Sequence, residues 1–484
     1  MQSRGGSRAL ARGVLSFDPA MDKLTAIILA AGEATRMKSR RPKVLHQICG
    51  RALIHYPVAA SRALGARVIV VVGRGADEVR AAVAREAEAS FVEQRERRGT
   101  GHATLQAREV CGEDTDAVLV LPGDMPLLSE TTLRRLVERH RESGAAATLL
   151  TAELDEPTGY GRVVRENGRP VAIVEHRDAT PAQRAIREVG TSAYCFDARR
   201  LWPALAAVTP QNTQGEYYLT DVISILRREG HPIEAVIVED QREGLGVNDR
   251  RQLAEMATVM RHRILDRLMT DGVTVLDPAS THVDDTVEIG ADTVLHPGVV
   301  LEGRTTIGSD CVVGPGSVVS ASRLGDRVTL RAYCVLSEAV VEEGATLGPF
   351  CHLRPAAHVG AGAKIGNFVE LKKAKIGAGA KVPHLSYVGD ATLGPDVNFG
   401  AGAITCNYDG VDKHETIVGA GAFIGTNASL VAPLTVGDNA YVGAGSVITK
   451  DVPAGALAVT RAQQAVKEGW VERKQKTRKP KHGE

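Results

Sequence analysis

Residues 294–320 read VLHPGVVLEGRTTIGSDCVVGPGSVVS, and an aliphatic residue returns in them at every sixth position. The same six-residue beat runs from Ile289 to Ile448, with one residue dropped before Leu324 and a break between Phe399 and Val418. A helix buries residues at a period of about 3.6 and a strand at about 2, so this beat fits neither. It is typical of short strands and turns wound into a β-helix, in which each coil stacks its apolar residues on the next.

The first 250 residues show no such beat and instead alternate apolar runs with amphipathic helices. The runs at 26–31, 68–72 and 117–121 are rich in Val, Ile, Leu and Ala, and helices are predicted at 77–88 and 129–142. This alternation predicts an α/β domain with a parallel sheet wrapped on both faces. Ligands bind such sheets beyond the carboxyl ends of the strands, and two candidate loops, 32–36 and 123–126, lie at such ends.

Bulk composition narrows the class of protein. A chain of 484 residues predicts two or three domains, and 50 glycines with 4% aromatics suit a turn-rich solenoid. The net charge of +1 favours neither nucleic acid nor a membrane surface, and no apolar run is long enough to span a bilayer. Seven scattered cysteines without a C-x-x-C pair indicate reduced thiols in a cytoplasm, not a disulfide framework or a zinc site.

These patterns divide the chain into five segments. Residues 1–21 are predicted to be a disordered extension, with Met21 as an alternative start, and 22–249 form the α/β domain. A linker helix is predicted at 250–271, because apolar residues repeat along one face of 249–270. The β-helix occupies 272–462, and a tail at 463–484 is basic, with seven Lys or Arg against three Glu in 467–484.

A glycine loop leaves the first predicted strand, in the run 29–37 (LAAGEATRM) that continues to 42–45 (PKVL). Such a loop lets backbone N–H groups approach phosphate closely, and a following helix N-terminus adds a favourable dipole. Arg36 and Lys43 would neutralise the charge that builds up when an α-phosphate is attacked. The arginine and the Pro-Lys pair follow the glycine at definite spacing, which favours a phosphate site over a simple turn.

This run resembles the motif of sugar-nucleotide pyrophosphorylases, and residues 24–470 resemble the bifunctional GlmU family of N-acetylglucosamine-1-phosphate uridyltransferases and glucosamine-1-phosphate acetyltransferases. The resemblance implies a Rossmann-like nucleotidyltransferase domain followed by a left-handed parallel β-helix of hexapeptide repeats. It also implies a cytoplasmic homotrimer that makes a precursor of the bacterial cell envelope. Its substrates would be glucosamine 1-phosphate, N-acetylglucosamine 1-phosphate, UTP and acetyl-CoA.

The resemblance also assigns residues of the uridyl transfer site. The UTP and UDP-sugar site would comprise Leu29, Ala30, Ala31, Gly32, Lys43, Gln94, Gly99, Thr100, Gly161, Glu175, Gly190 and Asn248. Asp124 and Asn248 would hold Mg²⁺, which fits a hard cation that bridges substrate phosphates and takes only one or two protein oxygens. Two positions depart from the family pattern: Ala34 replaces a second loop glycine, and Gly190 replaces an asparagine that contacts the sugar.

Polar or inserted segments interrupt the β-helix at 353–355, 370–373, 384–390 and 398–416. In a solenoid such interruptions mark functional positions. His384 is the candidate general base that deprotonates an amine, an effect of about 10²–10⁴ in rate. Glu370 would orient this imidazole or hold the protonated amine, and the amide of Asn407 would stabilise an oxyanion.

For this second site the resemblance implies two sets of residues. The acceptor sugar phosphate would be bound by Arg354, Lys372, Tyr387, Asn398 and Lys413. Acetyl-CoA would be bound by Asn407, Tyr408, Thr426, Ala444 and Arg461. In the family, trimers share each acyl site between subunits.

Two alternatives stay open at this point. The chain could be a pyrophosphorylase whose β-helix only oligomerises or regulates, although a spacer needs neither His384 nor the insertion around Asn407. It could also be a scaffold with a decayed nucleotide site, for which Ala34 and Gly190 are the only support. Glycine strings such as 360–366 imitate dinucleotide-binding motifs but follow the six-residue beat, so NAD and FAD are rejected.

Overall fold

The computed structural model describes residues 23–32 and 35–476. The predictions on the extension 1–21, on Ala34 and on the end of the tail lie outside these residues. The chain forms two compact units, and their boundary falls between Arg263 and Ile264, inside one helix. The boundaries of the five segments predicted from the sequence remain predictions.

Within its described residues, 23–32 and 35–263, the first unit contains eleven strands and most of the helices. Its strands are β1 (Leu24–Ala30), β2 (Gln47–Ile48), β3 (Arg51–Ala52), β4 (Arg67–Val72), β5 (Ser90–Glu93), β6 (Ala117–Pro122), β7 (Ala147–Glu153), β8 (Arg162–Glu166), β9 (Arg169–Val174), β10 (Glu188–Asp197) and β11 (Ile233–Ile237). Its helices are α1 (His55–Ala63), α2 (Ala76–Ala84), α3 (Thr100–Gln106), α4 (Arg108–Cys111), α5 (Glu130–Ser143), α6 (Pro181–Arg184), α7 (Ala198–Ala206) and α8 (Asp221–Arg228). Helix α9 (Arg250–Thr270) crosses the unit boundary, and short 3-10 helices lie at Thr35–Met37, Lys43–Leu45 and Gln241–Gly244.

One large sheet organises this unit, in the order β11-β7-β10-β6-β1-β4-β5. Strands β4, β1 and β6 pair in parallel, as predicted, but β10 runs antiparallel to both β6 and β7. The predicted parallel pairing is therefore confirmed for these three strands, but the sheet as a whole is mixed. An apolar run shows that a strand is buried, but it does not encode the direction of that strand.

Both faces of the sheet are covered by apolar layers. Ala26 and Ile28 of β1 belong to one buried cluster and Ile27 belongs to the other, because successive side chains of a strand point to opposite faces. Helix α5 begins at the cap Ser129, whose hydroxyl accepts from the Thr132 N–H at 3.2 Å. This packing fixes the strand ends that carry the glycine loop and Asp124.

The buried imidazole of His140 on α5 makes stability depend on pH. Burial lowers the pKa of His140 from 6.5 to about 4, so the folded unit keeps it neutral where the unfolded chain binds a proton. The free energy of unfolding should therefore fall as pH drops from 6.5 to 4, by about 3 kcal/mol from this group. Urea unfolding across that range should show a shallower pH slope for His140→Gln than for wild type, and equal slopes would contradict this assignment.

The second unit is built almost wholly from short strands. They are β12 (Thr274–Val275), β13 (His282–Val283), β14 (Glu288–Ile289), β15 (Val294–Leu295), β16 (Val300–Glu302), β17 (Thr306–Ile307), β18 (Val312–Val313), β19 (Val318–Ser320), β20 (Arg323–Leu324), β21 (Thr329–Leu330), β22 (Val335–Ser337), β23 (Val340–Val341), β24 (Thr346–Leu347), β25 (His352–Leu353) and β26 (His358–Val359). They continue as β27 (Lys364–Asn367), β28 (Glu370–Ile376), β29 (Lys381–His384), β30 (Tyr387–Leu393), β31 (Asn398–Phe399), β32 (Ile404–Cys406), β33 (Thr416–Val418), β34 (Phe423–Ile424), β35 (Ser429–Val431), β36 (Leu434–Val436), β37 (Tyr441–Val442), β38 (Val447–Ile448) and β39 (Leu457–Ala458). Helix α10 (Trp470–Lys476) follows.

These strands pair in parallel with the strands one coil before and after them, which makes a parallel β-helix. The residues of the six-residue beat point inward: Leu295, Leu301, Val313 and Val319 are each 0% exposed. The end coils are looser, since Ile289 in the first coil is half-buried and Leu457 on the last strand is exposed. The prediction of a β-helix from the beat is confirmed.

A column of exposed aromatic rings runs along one corner of the β-helix, with one ring from each of three successive coils. We call it the aromatic column. It consists of Tyr333, Phe350 and Phe368, which stack at 5.3 and 5.4 Å between centroids with nearly parallel planes. Their exposed fractions of 54%, 47% and 55% are high for rings of this size. Each of these residues adopts a positive φ, as the tight turn requires.

No helix within residues 23–32 and 35–476 is both long and apolar enough to cross a bilayer.

Candidate active sites

A cavity of about 890 Å³ opens in the first unit beyond the ends of β1 and β6. It is lined by all the residues predicted for uridyl transfer: Leu29, Ala30, Ala31, Gly32, Arg36, Lys43, Gln94, Gly99, Thr100, Asp124, Gly161, Glu175, Gly190 and Asn248. These residues come from positions 29 to 248 of the chain, so the fold brings together what the sequence separates. The cavity has two ends of different chemistry.

The first end is cationic and follows the glycine loop. An added Cβ on Gly32 would meet nothing within 4 Å, which leaves its backbone open to a ligand. A single 3-10 turn, Thr35–Met37, follows the loop where an α-helix N-terminus was predicted. The dipole contribution is therefore smaller than expected, and the charges of Arg36 and Lys43 carry the attraction for phosphate.

Asp124 and Asn248, the predicted metal ligands, converge on one point of this end. The Lys43 ammonium forms an ion pair with the Asp124 carboxylate and lies 3.4 Å from Asn248 Oδ1. Arg36 Nη2 also donates to Asn248 Oδ1 at 3.0 Å. Two oxygens that face a common cation suit a hard metal ion that is otherwise held by phosphates. In the described part of the chain no three His, Cys, Asp or Glu side chains cluster as a metal site.

Gln94, Gly99 and Thr100 form one connected group at the start of α3. Gln94 Nε2 donates to Gly99 O at 3.1 Å, and Thr100 Oγ1 accepts from the Leu219 N–H at 3.0 Å. Gly99 has a φ of +104°, and an added Cβ would lie 2.6 Å from Tyr217 O. Only glycine fits this position, so the group presents a fixed set of polar atoms to a planar ligand edge.

The opposite end of the cavity contains Gly161, Glu175 and Gly190. Glu175 is bonded to Thr220 at 3.3 Å, and burial raises the pKa of its carboxyl. An added Cβ on Gly161 would lie 2.7 Å from the Ile173 side chain, and one on Gly190 would lie 3.2 Å from it. Ile173 therefore forms an apolar wall across both glycines, and Gly190 supplies no polar side chain.

Several cavity residues were not assigned from the sequence. Ser192 and Tyr194 line the cavity, and a bulge in β10 places them there. Buried Arg162 contacts the carbonyl of Tyr160 and lies 3.3 Å from His176 Nδ1, which braces the loop before Gly161. A bulge has no regular sequence pattern, and a buried arginine looks like any charged residue in a sequence.

On the β-helix, His384 is exposed at the end of β29, one coil beyond Asn367. Its Nδ1 lies 2.6 Å from Asn367 Oδ1. Because an amide oxygen only accepts, the proton of the neutral imidazole is on Nδ1 and the lone pair of Nε2 is available. The orienting partner is therefore Asn367, and the expectation that Glu370 orients the imidazole is wrong.

Glu370 instead pairs with Arg354 at 2.9 Å, and Tyr387 lies beside Glu370 in register. The nearby Lys413 ammonium lowers the pKa of Lys372, so two cations face each other here. Arg354 also contributes to lowering that pKa, which places three of the predicted sugar phosphate ligands in one cationic patch. Such a patch attracts an anion.

The insertion between β32 and β33 folds into a braced loop. Tyr408 and Lys413 form an antiparallel bridge, and the His414 N–H donates to Asn407 O at 2.9 Å. Asp409 lies 2.7 Å from His414 Nε2 and accepts from two backbone N–H groups. These three bonds hold the pKa of Asp409 well below its ordinary value, and the amide nitrogen of Asn407 donates to Asp390.

The predicted acetyl-CoA residues Thr426 and Ala444 lie on the same edge of the β-helix as His384. Backbone hydrogen bonds connect the successive coils at this edge. The His384 carbonyl accepts from the Gly402 N–H at 3.1 Å, and the Ala401 carbonyl accepts from the Asn427 N–H at 2.8 Å. The Thr426 carbonyl accepts from the Gly445 N–H at 2.8 Å. Arg461 Nη2 would be 3.3 Å from a Cβ on Gly443, next to Ala444. Asn398 lies on β31 beside Lys381, in a different sheet of the β-helix from the strand β28 that carries Lys372.

Comparison with known families follows this division of the chain. Residues 26–224 match the MobA-like NTP transferase domain, and residues 286–321 and 415–450 match the bacterial transferase hexapeptide repeats. The first match covers most of the residues that line the cavity of the first unit, while Asn248 lies beyond it. The second match covers parts of the β-helix on either side of His384.

Near-full-length relatives carry both units. The bifunctional protein GlmU of Brevibacillus brevis is 50% identical over 449 residues, which cover 92% of this chain and 97% of that protein. The bifunctional protein GlmU of Heliobacterium modesticaldum is 49% identical over 458 residues, which cover 94% of this chain and 99% of that protein. The bifunctional protein GlmU of Streptomyces avermitilis is 49% identical over 453 residues, which cover 93% of this chain and 94% of that protein.

Proposed function

The chain belongs to the GlmU family of bifunctional transferases, and from this premise we propose that it catalyses two consecutive steps. The β-helix transfers acetyl from acetyl-CoA to the amine of glucosamine 1-phosphate. The first unit then transfers uridylyl from UTP to the resulting N-acetylglucosamine 1-phosphate and releases pyrophosphate. The product is UDP-N-acetylglucosamine.

In the acetyl step, His384 Nε2 takes the proton that the amine must lose as its nitrogen attacks the thioester carbon. The new C–N bond replaces the C–S bond, and the thiolate of CoA leaves and takes up a proton. The Asn367 contact at 2.6 Å keeps the imidazole in the tautomer that can accept. The cationic patch of Arg354, Lys372 and Lys413 would hold the phosphate of the acceptor.

In the uridyl step, a phosphate oxygen of the sugar attacks the α-phosphorus of UTP, and the bond to pyrophosphate breaks. No proton needs to move, so positioning and charge neutralisation are the tasks of the protein. Arg36 and Lys43 stabilise the charge on the phosphates. Asp124 and Asn248 would hold Mg²⁺, which supplies further neutralisation of the phosphates when bound.

The observation that carries the bifunctional assignment is the exposed His384, oriented by Asn367 on the same edge as Thr426 and Ala444. A β-helix that only oligomerises would need none of these. Purified protein should release free CoA from glucosamine 1-phosphate and acetyl-CoA, and pyrophosphate from N-acetylglucosamine 1-phosphate and UTP with magnesium. Pyrophosphate without CoA would instead support the single-activity pyrophosphorylase. Loss of both would support a scaffold.

The homotrimer is part of the same proposal, and the aromatic column supports it. Three exposed stacked rings suit burial against another subunit. Asn398 lies in a different sheet from Lys372, which fits an acyl site that takes residues from two subunits. Replacing Phe350 and Phe368 by Glu should yield monomers by light scattering, because buried like charges oppose assembly. Acetyl transfer should fall with the trimer while pyrophosphate release persists.

The control for that experiment is Leu276→Glu, at an equally exposed apolar residue of the first coil. It should leave the mass at that of a trimer. An unchanged trimer in the Phe350→Glu, Phe368→Glu variant would contradict the placement of the interface. A cytoplasmic location is proposed as well, since all seven cysteines are free thiols.

A further inference from the structure

The sugar end of the first cavity has a feature that the proposed reaction leaves unexplained. In β10, Gly190 faces Thr151 and Tyr194 faces Leu149, so residues 191–193 all stand opposite Leu150. This bulge forces Ser192 to a φ of +64°. A serine tolerates that conformation less well than a glycine, and strain of this kind is concentrated at functional sites.

The bulge turns the Ser192 side chain to the cavity. Thr191 also lines the cavity, but it is buried and its hydroxyl donates to Leu150 O, whereas Ser192 is exposed on the cavity wall. The Tyr194 phenol, which is only 2% exposed, lies next to the Ser192 side chain. A buried phenol in this position can orient a hydroxyl that faces the open space.

Charge separates this end from the phosphate end. Tyr194 lies near Glu175, whose carboxylate would repel phosphate, while Arg36 and Lys43 lie around Asp124 and Asn248. A neutral, hydroxyl-rich part of a ligand fits the first group, and phosphates fit the second. Gly190 offers no side chain there, and Ile173 gives only an apolar wall.

We propose that the Ser192 hydroxyl, held by Tyr194, is a direct contact to the sugar ring of the sugar 1-phosphate in the uridyl transfer site. It supplies a hydrogen bond on the side of the cavity that Gly190 leaves without one. This inference rests on the proposed uridyl transfer. It adds a substrate-binding residue, Ser192, and a positioning residue, Tyr194.

The test uses two substitutions that both remove the hydroxyl but differ in backbone strain. Ser192→Ala keeps the strained φ, whereas Ser192→Gly relieves it and should melt at the same or a higher temperature. Both should raise the KM for N-acetylglucosamine 1-phosphate by about three- to tenfold, with the KM for UTP unchanged. Tyr194→Phe should raise the sugar phosphate KM less, and should add nothing in the Ser192→Gly background.

Three results would overturn this inference: an unchanged sugar phosphate KM, an equal rise in the KM for UTP, or an effect in Ser192→Ala that is absent in Ser192→Gly. The last would show that backbone geometry matters and the hydroxyl does not. Acetyl transfer in the same variants serves as the internal control and should be unchanged. Failure of uridyl transfer itself is distinguishable, because the wild-type protein would then release no pyrophosphate.

Discussion

His384→Ala is expected to lower the rate of acetyl transfer by about 10²–10⁴ and to leave pyrophosphate release unchanged. The exposed imidazole has its Nδ1 bonded to Asn367 at 2.6 Å, so its free Nε2 is the base available on this edge. Alanine leaves the acceptor amine to lose its proton to water. The measurement is free CoA from glucosamine 1-phosphate and acetyl-CoA, alongside the pyrophosphate assay on the same preparation.

His358→Ala is the matched control for that substitution. His358 is also a partly exposed histidine of the β-helix, paired with Glu342 at 2.8 Å and remote in register from His384. It should retain wild-type acetyl transfer. Equal loss in both variants would point to a damaged β-helix, and full activity in His384→Ala would remove the imidazole from the mechanism.

Asp124→Ala is expected to lower uridyl transfer by about 10²–10³ while acetyl transfer persists. The carboxylate holds Lys43 by an ion pair and, with Asn248, forms the oxygen pair that suits a metal ion. Without it the lysine loses its position and the phosphates lose a metal ligand. Chelation of magnesium in wild-type protein should have the same selectivity, with pyrophosphate release lost and CoA release kept.

Asp116→Ala serves as the control in the same unit. Asp116 forms a surface ion pair with Lys23 at 3.5 Å and precedes the first residue of β6, at the end of that strand away from Asp124. Exposed pairs of this kind contribute little, so both activities should remain. Loss of acetyl transfer in Asp124→Ala would contradict two separate sites.

The β-helix could be predicted from sequence because its beat is strict and local. Each coil buries residues at the same positions of the repeat. Residues such as Leu301, Val313 and Val319 therefore predict the fold without information from distant parts of the chain. The first unit was harder. Three of its strands, β1, β4 and β6, were predicted from apolar runs, but the other strands were not, and β10 runs antiparallel to β6.

The residues of the candidate sites likewise differ in how far the sequence predicts them. Asp124, Asn248 and Gln94 belong to short motifs that resemble the family, and the fold places all three in one cavity. Asn367 was missed because its link to His384 runs between coils that are 17 residues apart, which only the register of β27 and β29 reveals. Ser192 was missed because its role depends on a bulge.

The in-register pairing of coils has a consequence for how this protein can evolve. Val294 pairs with Val312 and Val312 with Thr329, so a coil takes 18 or 17 residues and advances the axis by about 4.8 Å. Each coil contacts only its neighbours, so the gain or loss of one whole coil near β15 would shift the height of His384 without disturbing its surroundings. Insertions of another length have to leave the stack as loops, as the residues between β32 and β33 do while Asn398 still pairs with Phe423. Natural length variation in this half of the molecule should therefore occur in whole coils or in such loops.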